Sequence, residues 1–348
     1  MTETKKTPTI QDVARFANVS TATVSRALSS PDRVSESTRA RVSEAIRVTG
    51  YTLNQAARSL RQRTAKTILV ALPDIRNSFF SSILDAVERE ATNRGYGVLV
   101  ANLFLARAPA QRLQDYMLSN RADGLLLLDG SLDLPSLHAL VRPPNSVPLV
   151  VACEEIPNSG FHTVLTDNLS AAERATRHLI DLGHRQIAHL LGPENNVVAR
   201  DRLAGYTNAL TRAGLVVQQQ WLFRGNFEME SGFAAAAHFM SLSDRPTAVF
   251  AANDESAIGF LSGLRQHGLV CPRDISMIGF DDLGVCAHYT PPLTTMRQPR
   301  ELLGRMAAEM LIDILEDAEH RRGPMRIVLN SELIVRESTA HPPSGTTS

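Results

Sequence analysis

The chain is poor in cysteine, aromatics and net charge, and it has no long apolar run. Its 348 residues include three cysteines, and phenylalanine, tyrosine and tryptophan together make up 5%. Cys153, Cys271 and Cys286 form no CxxC pair and have no histidine at metal-ligand spacing. That excludes a disulfide framework and a zinc cluster and points to a reducing compartment. No stretch is long enough to span a bilayer, and MTETKKTPTIQDVARF lacks the apolar segment of a signal peptide. We therefore expect no membrane partner and a cytoplasmic, nucleoid-associated location. GxGxxG, GxxxxGK[ST], GxSxG and HExxH are all missing, which removes the commonest routes to catalysis. The Asp281-Asp282 pair resembles a catalytic carboxylate couple. Adjacent residues at a strand end point in different directions, however, and no nucleophile accompanies them. The expectation is no enzyme and no cofactor.

Net charge is zero, with 36 basic and 36 acidic residues. The balance conceals a division. Residues 1–64 hold 11 Lys and Arg against 5 Asp and Glu, and the remainder holds 25 against 31. A basic head on an acidic body suits a small nucleic-acid module joined to something that must not bind phosphate indiscriminately. The length itself points to two or three domains.

In the head, Thr9 and Asp12 have the spacing of a capping pair, and Ile10, Val13, Ala14 and Ala17 give a first helix one apolar face. Asn18-Val19-Ser20 makes a turn, with Ser20 placed to cap a second helix. In that helix Val24, Ala27 and Leu28 face inward and leave Thr21, Ala22, Thr23, Ser25 and Arg26 outside. Small side chains let a helix sit deep in the major groove, and an arginine there reaches a guanine edge or a phosphate. Read alone, the pattern is equally that of a capped helical bundle. A third helix starts at Ser35. The following segment, YTLNQAARSL, is too short and apolar-poor to be a stable isolated helix, but it can fold on DNA with Leu60 as a minor-groove wedge.

From Thr67 the pattern alternates apolar strands (67–73, 97–102, 123–129, 147–152, 186–191, 247–252, 275–280) with amphipathic helices, for example 79–94, 168–182, 197–214 and 253–267. That predicts two stacked α/β subdomains with ligand sites beyond the strand ends. Asp74, Cys153-Glu154, Asn253-Asp254 and Asp281-Asp282 sit at such ends, with Phe79, Phe80 and Arg202 nearby. Acceptors, an arginine and aromatic faces suit a sugar or nucleoside. Asp254 and Asp282 read better as helix caps, and Phe79 and Phe80 as half core, half pocket.

The runs DVARFANVSTATVSRALSSPDRVSESTRARV, NQAARSL, NDESAIGF, ISMIGFDD and PPLTTMRQP, in order over residues 8–338, resemble the LacI/GalR family of bacterial transcriptional regulators. The resemblance implies a small all-α helix-turn-helix domain plus hinge helix. An α/β periplasmic-binding-protein-like core of two doubly wound parallel-sheet subdomains would follow. Implied boundaries are 1–50 for the DNA-binding domain, 51–65 for the hinge and 66–338 for the core. Within the core, 66–162 and 292–323 would form one subdomain, 163–291 and 324–338 the other, and 339–348 a disordered tail. Thr21, Ala22 and Arg26 would face bases; Thr9, Ser20, Thr23, Ser25 and Ser35 would hold phosphates. Asn54, Ala57 and Leu60 would lie in the hinge, where Leu53 replaces the proline of many members. Phe79, Phe80, Cys153, Arg202, Phe227, Asn253, Asp281 and Gln298 would contact the effector. Cys153 stands where many relatives carry Asp or Asn, so Glu154 becomes the alternative source of that bond. The tail lacks a heptad repeat, so a homodimer is expected on double-stranded operator DNA. A solute-binding receptor without a DNA role is the alternative.

Overall fold

The computed structural model describes residues 8–51, 64–104, 107–142, 147–317 and 323–343. It divides into two compact units, residues 1–63 and 64–348. In the first, α1 (Ile10–Ala17), α2 (Thr21–Ser29) and α3 (Glu36–Thr49) close over a core of Val13, Ala14, Ala17, Val24, Val42 and Ala45. Side-chain caps start the helices as their sequences predict. The Asp12 carboxylate accepts from Thr9 N at 2.9 Å, Ser20 Oγ accepts from Thr23 N at 3.1 Å, and Ser35 Oγ from Thr38 N at 3.4 Å. Asn18 stops α1 in the left-handed region, which asparagine tolerates.

The larger unit contains two six-stranded sheets. The first carries β1 (Thr67–Leu72), β2 (Gly97–Asn102), β3 (Gly124–Leu127), β4 (Leu149–Cys153), β5 (His162–Thr166) and β11 (Arg326–Leu329), in the order β11-β5-β4-β3-β1-β2. Its pairings are parallel throughout. The second is built from β6 (Ile187–Leu190), β7 (Leu222–Phe223), β8 (Ala248–Ala251), β9 (Ser276–Asp281), β10 (Thr294–Arg297) and β12 (Glu332–Ile334), in the order β12-β10-β9-β8-β6-β7. Among the described strands, β12 alone is antiparallel. Central strands are buried on both faces and therefore read as unbroken apolar runs. Ile68, Val70 and Leu72 enter one apolar cluster, while Leu69 and Ala71 enter another on the opposite face.

Helices α4 (Phe79–Asn93), α5 (Pro109–Leu118), α6 (Leu134–Val141) and α11 (Arg300–Glu316) belong to the first subdomain. The second contains α7 (Asn168–Asp181), α8 (Val197–Arg212), α9 (Met229–Ser241) and α10 (Asp254–Gln266). The chain crosses between subdomains after β5, after β10 and after β11, each time a few residues later than the pattern places it. Residues 163–166 and 326–329, expected in the second subdomain, are strands of the first sheet, and 294–297, expected in the first, lie in the second. A strand stays in its sheet until its last ladder bond is made, so the crossing follows the strand and does not precede it.

The tail differs as well. Residues 339–343, expected to be disordered, pack on the second subdomain. Ala340 N donates to Ser276 Oγ at 3.0 Å, the Ala340 carbonyl lies 2.9 Å from His184 Nε2, and the His341 ring bonds the Leu182 carbonyl at 2.7 Å. A polar, proline-rich composition does not reveal partners that lie so far back along the chain.

Candidate functional site

On α2, Thr21, Ala22 and Arg26 are exposed, and Thr23 and Ser25 are half-buried. Val24 is fully buried beneath them. The outer face of this helix is therefore small and polar with one cation at the end of its second turn. Thr9, Ser20 and Ser35 use their hydroxyls inside the caps described above. Asn54, Ala57 and Leu60 lie outside the described residues.

In the larger unit, Phe79, Phe80, Cys153, Arg202, Phe227, Asn253, Asp281 and Gln298 line one crevice together with Asn77, Glu154, Asn168 and Val198. Of these four, the sequence offers only Glu154, as the alternative to Cys153, and none of the other three is an expected contact. Asn168 follows β5, a strand the alternation does not show, and Val198 carries no polar signal. Asn77 caps nothing in sequence; in the fold its Oδ1 accepts from Phe79 N at 2.9 Å and opens α4. The cavity is about 60 Å³, far below the few hundred a drug-sized ligand fills, so its walls must part to admit one.

Arg202 is the central cation. It is 4% exposed, with Nε donating to Asn168 Oδ1 at 2.9 Å and Nη1 to the Ala252 carbonyl, and its Cζ lies 3.8 Å from the Phe280 ring centre. Nη2 stands 3.9 Å from Asp281 Oδ1. Burial opposes its charge, while Asp281, Glu154 and Asp254 favour it. Asp281 accepts from Gln298 Nε2 at 2.7 Å, and burial raises its pKa despite Arg202. Burial also lifts the Glu154 carboxyl and the Cys153 thiol above their ordinary ranges. Cys153 is consequently a neutral thiol and supplies no charged bond to the crevice.

Asn253 caps α10 through Oδ1, which accepts from Ser256 N at 3.1 Å, and Nδ2 donates to the Phe227 carbonyl at 2.8 Å. Neither Asp254 nor Asp282 caps a helix. Asp254 accepts from Thr295 Oγ1 at 2.6 Å and Leu283 N at 2.9 Å, tying α10 to β10 and the loop after β9. Asp282 is held by Arg297 and Arg336, both at 2.7 Å. Their long-range partners come from strands that local sequence cannot align.

Backbone strain gathers here. Eight described non-glycine residues have positive φ, and four of them, Cys153, Phe227, Asp281 and Asp282, belong to this crevice or its rim. Of the other four, three are asparagines, which tolerate the region. Strain of this kind persists where surrounding structure over-determines it, and it clusters at ligand sites. A wider cleft of about 710 Å³ lies beyond Gln298, between α4 and α11. Its four arginines are committed: Arg89 to Asp85, Arg305 to Glu309, Arg297 to the Asp282 carboxylate and Arg300 to the Asp282 carbonyl.

Residues 9–54 match the bacterial regulatory proteins of the lacI family, and residues 176–339 match the periplasmic binding protein-like domain. The chain is 40% identical over 331 residues to the HTH-type transcriptional repressor CytR of Escherichia coli (strain K12), covering 95% of this chain and 96% of that protein. The chain belongs to the LacI family. It is 35% identical over 334 residues to the HTH-type transcriptional repressor PurR of Photobacterium profundum, covering 95% and 98%. Among solved structures, the lac repressor dimer bound to operator and the anti-inducer ONPF superposes with a TM-score of 0.85 at 29% identity, over 96% of this chain and 100% of that one. A transcriptional regulator CelR–cellobiose complex gives 0.72 at 33% identity, over 95% and 99%. This LacI-family chain is a DNA-binding transcriptional regulator with a ligand-responsive core.

Beneath the crevice, His189 is fully buried between the Tyr206 and Phe250 rings. Nδ1 donates to the Phe250 carbonyl at 2.8 Å, and Nε2 has no partner among the described residues. Burial pushes its pKa down from 6.5 to about 4. Between those values the unfolded chain binds the extra proton, so His189's contribution is full above pH 6.5 and is lost as pH falls to 4. We expect His189→Phe to abolish about 3 kcal/mol of acid-side destabilisation. Denaturant melts of both proteins at pH 7 and about pH 4.5 measure the difference; parallel losses would refute it.

Proposed function

We propose that the chain is a homodimeric repressor whose hold on a near-palindromic operator is set by an unphosphorylated nucleoside or sugar in the crevice. The observation that carries this is the charge inventory of the cavity. Two carboxylates, Asp281 and Glu154, face one arginine whose donors are largely engaged. Such a wall offers acceptors to hydroxyl and amino donors and repels phosphate. Phe79, Phe80 and Phe227 supply ring faces for a base or the apolar side of a sugar. Phe79, Phe80, Cys153, Arg202, Phe227, Asn253, Asp281 and Gln298 are the effector contacts in this reading.

On the DNA side, Thr21, Ala22 and Arg26 read bases and Thr9, Ser20, Thr23, Ser25 and Ser35 border the phosphates. Asn54, Ala57 and Leu60 form the hinge. The regulator works in the cytoplasm on the nucleoid. Moving the crevice walls changes whether paired hinges can order on DNA, a coupling through one bistable element.

The test is a mobility-shift titration against an operator selected from random duplexes, with cytidine, uridine, adenosine, D-ribose and cytidine monophosphate added in turn. A dimer-sized complex that responds to a neutral compound and not to the monophosphate is expected. Equal binding to every duplex at all salt concentrations would rule out the operator reading. In the same assay Leu60→Ser should weaken operator binding about tenfold or more, through loss of the minor-groove wedge, with effector affinity unchanged. Equal loss of both would contradict the hinge assignment.

A further inference from the structure

Three separate features converge on Glu154, which the resemblance offers only as the alternative source of the bond expected at Cys153. The first is the turn that aims it. Cys153 ends β4 with φ 71, and Glu154 N donates back to the Ala152 carbonyl at 2.9 Å, closing a three-residue turn. A β-strand continued here would carry the side chain along the sheet; the turn directs it into the crevice.

The second is a backbone cradle. Gly130 N donates to Glu154 Oε2 at 2.8 Å. A Cβ on residue 130 would lie 2.9 Å from the Glu154 Cβ and 3.0 Å from Oε2. Only glycine lets this backbone approach the carboxylate so closely.

The third is a partner from the opposite wall. Asn196 Nδ2 donates to Glu154 Oε1 at 2.7 Å, while its Oδ1 accepts from Ala199 N at 3.0 Å as the cap of α8. Both ends of the amide are thus assigned. The bond ties the strand ends of the first subdomain to the helix that carries Val198 and Arg202 in the second. Each carboxylate oxygen has one donor from the protein and room for another, because an ionised carboxylate accepts about four hydrogen bonds in all.

We propose that Glu154 has two roles: it latches the crevice through Asn196, and it accepts a hydrogen bond from the effector on its remaining lone pairs. The second role rests on the effector reading above; the first does not. A charge-assisted bond in a largely buried crevice is stronger than one in water, so its presence shifts the balance between closed and open walls. It also supplies, one residue on, the polar contact that Cys153 cannot make. The pair permits a donor–acceptor exchange. With Glu154→Gln and Asn196→Asp combined, an amide N–H at position 154 would meet a carboxylate at position 196, which still caps α8 through its other oxygen.

The experiment compares wild type, Asn196→Ser, Glu154→Gln, Gly130→Ala and the double variant Glu154→Gln/Asn196→Asp in the full chain. Operator affinity is measured without effector, and cytidine binding is measured by calorimetry. Serine keeps the cap, so the Asn196→Ser protein folds and loses only the latch. Asn196→Ser, Glu154→Gln and Gly130→Ala should shift effector-free operator affinity in one common direction by about fivefold, the scale of one buried hydrogen bond. The double variant should return to within about twofold of wild type, while its cytidine affinity stays about tenfold weak because the charged acceptor is gone. A double variant no closer to wild type than its parents overturns the latch. Unchanged cytidine binding in Glu154→Gln overturns the recognition role. Should wild type bind none of the neutral compounds, the effector reading fails, and the operator arm still decides the latch.

Discussion

Arg202→Ala is expected to abolish the effector response, with affinity for the nucleoside or sugar falling at least about a hundredfold, the scale of a buried charge left without its partner. The guanidinium is the crevice's cation and is held by the second-subdomain wall. It bonds Asn168 and the Ala252 carbonyl, faces Asp281, and lies against Phe280 and Phe227. Removing it takes the nearest counter-charge from Asp281 and the cation from Glu154, so they bind protons or admit water. Fold stability should drop by about 3–5 kcal/mol, because an unpaired buried charge costs far more than the pair contributes. Arg202→Lys separates recognition from collapse. Lysine keeps the charge but not the planar fork, so the protein should fold while effector binding still fails by about tenfold or more. Non-specific DNA binding should survive in both variants, since the head has its own apolar core. An unchanged calorimetric titration in either variant would sink the assignment.

Arg26→Ala is expected to weaken binding to the selected operator about 10- to 100-fold, as loss of a bidentate arginine–guanine contact does. Arg26 is exposed on α2, one turn beyond Ala22, and contributes nothing to the buried cluster of Val13, Val24 and Val42. Melting temperature and effector affinity should therefore hold. Binding to random duplex DNA is the informative control. If it falls by the same factor as operator binding, Arg26 touches phosphate and reads no base.

Much of this was legible in the residues. The helix caps at Thr9, Ser20 and Ser35 are local pairings between side chains and backbone N–H groups three residues apart, so spacing alone reveals them. The central strands are buried on both faces, so their apolar runs stand out. Strands β5, β10, β11 and β12 do not, because they are short and mixed in polarity and are held in place by neighbours far along the chain. The packing of residues 339–343 is invisible for the same reason. At the crevice, strand-end position marks Asp281, Asn253 and Cys153, and family resemblance marks Gln298 and Phe227. Neither source shows that Asn253 is occupied as a cap, that Asp254 braces β10, or that Glu154 meets Asn196.

Local pattern therefore decided the class: a basic capped-helix head, an acidic body of buried strands, and a family whose members regulate transcription. These follow from interactions within a few residues, where spacing and chemistry are visible in one dimension. The three-dimensional fold decided which side chains share a wall, where the chain crosses between subdomains, and how each buried charge is compensated. Those outcomes depend on contacts between residues far apart in the chain, such as Glu154 with Asn196 and His184 with Ala340, and on burial that raises or lowers the cost of charge.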